Sequence, residues 1–123
     1  MGKSMDEQIS WQVELQVKPG QLDALRVLTS EMIASTKSES GALIYERFIS
    51  DDGQLVYVVE RYVDSVVAVA HLVAFGRQYG ESFASMVDRK RFTVFGTPSV
   101  ELKGILDRFG ARYFSLLEGF SRV

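Results

Sequence analysis

The 123 residues carry a formal net charge of −2, with 46% hydrophobic and 24% charged side chains, one histidine and no cysteine. That length suits one domain with a single two-layer core, and the charge balance leaves no basic footprint for nucleic acid. The cysteine and histidine counts exclude disulfides and thiolate nucleophiles and argue against a zinc or other metal site.

Residues 1–8 are polar and read as a flexible N-terminal arm, followed by a single domain over 9–123. No apolar run follows Lys3, as a secretory signal would require. Ile9, Trp11, Val13, Leu15 and Val17 alternate with Ser10, Gln12, Glu14 and Gln16, the pattern of a half-buried strand, and Pro19-Gly20 ends it. Leu22, Leu25, Leu28, Met32 and Ile33 recur at helical spacing, and Gly41 is expected to cap that helix in the left-handed region. Residues 42–49 and 55–62 are rich in β-branched and aromatic side chains and flank Asp51-Asp52-Gly53, which reads as a hairpin. Asp64 is the expected N-cap of a second helix. This helix should break at Gly76 or Gly80 and resume through Phe83 and Met86. Its apolar run over 66–75 is interrupted by His71 and is too short to span a bilayer, so the expected setting is cytoplasmic, with no membrane partner. The basic triplet Arg89-Lys90-Arg91, offset by Glu81 and Asp88, reads as a solvated helix end. A short strand is expected over 91–95. Pro98-Ser99 opens a third helix carrying Leu102, Ile105, Leu106 and Phe109, and a fifth strand is expected over 112–120.

The order βαββαβ predicts an α+β, ferredoxin-like fold: an antiparallel sheet with helices on one face, plus a C-terminal helix and strand. In the third strand Leu55, Tyr57, Val59 and Arg61 share one parity and Val56, Val58, Glu60 and Tyr62 the other. Neither set is properly polar. A sheet that is apolar on its uncovered side needs a partner, so a homodimer packed sheet against sheet is expected.

With these elements in place the chain resembles the antibiotic biosynthesis monooxygenase, or quinol monooxygenase-like, family of dimeric α+β barrels. The matching pieces are Lys18-Pro19-Gly20, Glu39-Ser40-Gly41, Tyr45-Glu46 and above all Glu60-Arg61-Tyr62-Val63-Asp64 followed by Ala68 and His71. The resemblance spans roughly residues 9–95. It implies cofactor-free oxygenation of a small aromatic quinol or polyketide-like molecule. In that chemistry His71 would be the base, Tyr62 a proton donor or oxyanion partner, and Glu60 the orienter of the imidazole. Trp11, Phe75 and Phe83 would form the apolar walls of a substrate site. The chain departs from the family in holding no asparagine, the pocket residue of branches with established oxygenase chemistry, and in placing Tyr62 where several members carry tryptophan.

The residues themselves leave two readings open. Histidine is the side chain that ordinarily titrates nearest neutral pH, and residues seven apart share a helix face, so His71 lies on the stripe of Asp64, Val67, Ala68 and Phe75. It is either a base or a clamp holding the helix in register against Glu60, Glu46 or Tyr62. On the second reading the protein is a non-catalytic dimeric barrel that binds a small hydrophobic ligand or serves as an accessory module. The segment from Phe75 to Gly80 likewise reads as a plain helix break or as a hinged lid.

Overall fold

A computed structural model describes residues 7–123; apart from Glu7 and Gln8, the expected N-terminal arm lies outside the described residues. The elements run β1 (Ile9–Val17), α1 (Leu22–Thr36), β2 (Ala42–Ile49), β3 (Leu55–Tyr62), α2 (Ser65–Gln78), α3 (Gly80–Met86), β4 (Val87–Phe95), α4 (Val100–Asp107) and β5 (Arg112–Phe114). The sheet order is β2-β3-β1-β4-β5. β1 pairs antiparallel with β3 and β4, β2 pairs antiparallel with β3, and β5 lies parallel to β4. The expected α+β, ferredoxin-like arrangement is thus the observed one.

Central β1 buries every second residue. Trp11, Val13 and Leu15 join Val58 and Tyr62 of β3, Phe92 and Val94 of β4, Leu25 of α1, Ala68 of α2 and Leu102 and Leu106 of α4 in one core. Each large apolar side chain so buried contributes about 1.5–3 kcal/mol. The helices therefore cover one face of the sheet. The other face carries Gln12, Glu14 and Gln16 but also Phe48, Leu55, Tyr57 and Phe95, which are between 38% and 55% exposed. No helix among the described residues is long and apolar enough to cross a membrane.

Four local expectations need correction. α1 ends at Thr36 with Lys37 as its C-cap, so Gly41 does not cap it. Gly41 instead allows a close approach: a Cβ there would stand 2.7 Å from both methyl carbons of Val67 on α2. The break after α2 falls at Tyr79, between the two candidate glycines. The basic triplet is not a helix end but part of β4, which begins at Val87. Arg91 lies opposite Glu14 and Arg89 opposite Leu15, so Lys90 is the extra residue of a β-bulge. Because the bulge breaks the alternation, only the end of this strand is visible in the sequence. Finally, β5 is three residues long rather than nine. It pairs with Thr93, Val94 and Phe95, and β4 ends there, so the chain beyond Phe114 has no strand to follow.

Asp64 is the expected cap of α2: its Oδ1 accepts from the Val67 amide at 2.9 Å. The hairpin also forms as expected, with Gly53 at φ +72° and Asp52 Oδ1 accepting from the Gln54 amide at 3.0 Å and the Ser50 hydroxyl at 2.7 Å.

Candidate active site

Strand pairing places Glu60 between Trp11 of β1 and Tyr45 of β2, facing the helices. A buried carboxylate is tolerable only when its oxygens are fully engaged, and here they are. Oε1 accepts from the Tyr62 hydroxyl at 2.6 Å and from Trp11 Nε1 at 3.1 Å. Oε2 accepts from Arg47 Nη2 at 2.6 Å. The donors come from three adjacent strands.

The phenols around this carboxylate are held protonated. Burial first, then the charge of Glu60, push the Tyr62 hydroxyl far above its ordinary range. Burial pushes Tyr45 up to about 12, against the pull of the Arg47 guanidinium, which lies 3.6 Å from the Tyr45 ring centre. The Tyr45 hydroxyl is buried without a hydrogen bond of good geometry, and so is Arg47 Nη1.

His71 projects from α2 into this layer and is 5% exposed. Its ring lies 5.1 Å from that of Tyr62 and meets the Tyr45 ring edge-on at 5.4 Å. The orienting carboxylate is Glu39, in the loop between α1 and β2: Nδ1 stands 3.0 Å from its Oε1 and 3.3 Å from its Oε2. A carboxylate only accepts, so Nδ1 carries a proton and a neutral ring keeps its lone pair on Nε2. Nε2 faces Glu60 Oε1 at 3.7 Å, beyond a hydrogen bond. The imidazole partner expected from the sheet is therefore replaced by a loop residue. Glu46 points to the other side of the sheet, in line with Val59.

A cavity of about 60 Å³ opens beside His71, bounded by Trp11, Phe75 and Phe83 and by Glu60, Arg47 and Arg89. It brings together five of the six expected site residues. Tyr62 is fully buried and does not line it, reaching the site only through Glu60. Arg89 arrives from the bulged strand and stacks its guanidinium 4.4 Å from the ring centre of Phe109. Burial holds its pKa below the ordinary arginine value. Sequence reasoning missed Glu39 and both arginines. Arg47 alone had a usable signal, since it shares the parity of Tyr45, which pairs with Glu60. No cluster of three or more metal-ligating side chains occurs among the described residues.

This geometry sits within a wider likeness. The family model for antibiotic biosynthesis monooxygenases matches residues 9–73. The fold is similar to that of MupZ from Pseudomonas fluorescens, with 24% identity over 94% of this chain and 95% of that one and a TM-score of 0.82. Protein SO0527 from Shewanella oneidensis is 24% identical over 72% of this chain and 87% of its own, with a TM-score of 0.58. A candidate antibiotic biosynthesis monooxygenase from Nitrosomonas europaea is 20% identical over 74% of this chain and 90% of its own, with a TM-score of 0.65. At these identities the likeness is one of fold. No curated protein matches the sequence at a significant level.

Proposed function

Since the chain belongs to the antibiotic biosynthesis monooxygenase family, we propose that it oxygenates a small aromatic quinol without a cofactor, with His71 as the base. The observation that carries this reading is the imidazole, anchored at Nδ1 by Glu39 and bordering an aromatic-walled cavity. Its Nε2 takes a hydroxyl proton from the quinol. The resulting phenolate passes an electron to dioxygen, and recombination of the radical pair forms a carbon–oxygen bond. The imidazolium first protonates the distal peroxide oxygen. The neutral imidazole then takes the proton from the oxygenated carbon as the carbonyl forms and hydroxide leaves, and returns it to that hydroxide as water. Quinol and dioxygen thus give a hydroxyquinone and one water, with one dioxygen atom in each product. Glu39 is a positioning residue, and Trp11, Phe75 and Phe83 exclude water from the radical pair.

The cavity must widen for this chemistry. A closed cavity of about 150 Å³ accommodates benzene, more than twice the volume found here. Phe83 sits on the seven-residue α3, and a Cβ added at Gly76 or Gly80 would meet nothing within 4 Å. Room is made by turning the Phe83 side chain or by moving α3, which Lys18 holds through Met86 O at 2.9 Å and Ala84 O at 3.1 Å. We further read the protein as a homodimer through the uncovered sheet face.

The test is dioxygen uptake with a panel of benzene- and naphthalene-1,4-diols. His71→Ala should lower the rate by about 100-fold or more, and uptake indifferent to that change removes His71 from the mechanism. The small cavity volume favours a second reading, a non-catalytic barrel in which His71 and Glu39 clamp α2 to the sheet. That reading expects no uptake with any diol and a destabilised His71→Ala protein.

A further inference from the structure

The polar groups lining the cavity are unequally satisfied. Glu60 offers its acceptors to Trp11, Tyr62 and Arg47, so it has little left for a ligand. The unused capacity is on the donor side. Arg47 Nη1 has no acceptor but is sealed, its guanidinium lying 3.6 Å from the Tyr45 ring centre, so a ligand meets it only once the cavity widens. Arg89 has no carboxylate within ion-pair distance among the described residues, and its contact is the ring of Phe109, stacked in turn on Phe92. A guanidinium lying on a ring keeps its edge N–H groups free to donate. These two arginines are brought to one cavity from opposite sides of the sheet, Arg47 by β2 and Arg89 by β4. Strict alternation back from Phe92 would turn Lys90 inward and Arg89 outward; the bulge reverses this.

Resting on the proposed function, we infer that the substrate is an aromatic acid, its anionic group held by Arg89 and Arg47 and its ring between Phe75, Phe83 and Trp11. Guanidinium groups accept nothing, so the polar end of any occupant must be rich in acceptors. An anion also gives Arg89, which is exposed at the cavity mouth, an ion-pair partner in place of water, and charge-assisted hydrogen bonds to guanidinium are the strong ones. A neutral quinol offers its hydroxyl oxygens as acceptors but brings no charge to meet Arg89.

The experiment compares 2,5-dihydroxybenzoate, a quinol carrying a carboxylate, with its methyl ester, which keeps the ring, loses the charge and adds one methyl group. Calorimetric titration of the intact protein should show the acid binding about tenfold tighter or more. Arg89→Gln should abolish that preference by weakening the acid and sparing the ester. Arg47→Lys, which keeps a charge beside Glu60 but removes the planar fork, should reduce the preference in part. Equal affinities overturn the inference, as does a preference that survives Arg89→Gln, or no binding of the acid. Dioxygen uptake run in parallel separates this inference from its premise. A preference for the acid without uptake of dioxygen sinks the oxygenase and keeps the anion site. Uptake that is as fast with the ester as with the acid does the reverse.

Discussion

Tyr45 presents the sharpest consequence at the level of single residues. Its hydroxyl has only a poorly aligned contact with Thr36 to lose, so Tyr45→Phe should change stability at neutral pH by less than about 1 kcal/mol. The alkaline limb should differ. Burial raises this phenol from 10.0 to about 12 in the folded chain, so the unfolded chain releases its proton first. Stability is full below about pH 10 and declines as pH rises towards the folded value. The loss from this one group is on the order of 2 kcal/mol, and Tyr62, shifted in the same direction, adds to it. Urea titrations at intervals from pH 8 to 11.5 should show a shallower decline for Tyr45→Phe; superimposable curves would contradict this account. Part of the site could be read in advance. Trp11, Phe75, Phe83, Glu60 and His71 converge on one cavity because strand parity and helix periodicity fix which way each points. Glu39 could not be found this way, since its contact with His71 joins residues 32 apart through a loop that obeys no period. Arg89 was hidden because a bulge inverts parity, and no local composition marks this one.

Among the elements, the approach of α2 to the start of β2 is set by two residues in contact. Gly41→Ala would drive a methyl into Val67, and overpacking of this kind costs about 1–3 kcal/mol. Shortening the neighbour should relieve it: Gly41→Ala combined with Val67→Ala should be less destabilised than the sum of the single changes. Strict additivity in denaturant melts would mean that the contact relaxes elsewhere. The C-terminal segment makes a second case. Its nine-residue alternation reads as a strand, yet a strand needs a neighbour, and β4 supplies one only as far as Phe95. Still, Tyr113 and Ala111 pack against the core and Phe114 accepts from the Gly96 amide at 2.9 Å. Truncation after Gly110 should therefore lower the melting temperature by several degrees, and an unchanged melting curve would show the segment to be dispensable.

At the scale of the molecule, the apolar side of the sheet and the exposed tail lie next to each other. Phe95 and Phe114 are 6.2 Å apart between ring centres, and an open groove of about 520 Å³ runs from them past Leu116 and Phe120 to Arg61. A second copy of this chain covering that surface should bury on the order of 1,500 Å² in total. Sedimentation at micromolar concentration should give twice the 13.8 kDa chain mass, and a monomer there would refute the pairing. The layer order was legible from the sequence because alternation and helical spacing report burial directly. What covers the outer face was legible only as a need, since a single chain does not record its neighbour. The three-way hold on Glu60 has a further effect, on folding fidelity. Sliding β2 by one residue turns Arg47 to the opposite face, and sliding β3 turns Glu60 and Tyr62 there together, so either slip strands one charge of the ion pair in hydrocarbon, while a slip of β1 costs the Trp11 bond. Mis-registered sheets are thereby made conspicuously unstable, and the carboxylate acts as a checksum on three strands at once. Glu60→Leu should fold to a mixture of slowly exchanging forms, visible as doubled amide resonances, where the native chain gives one set.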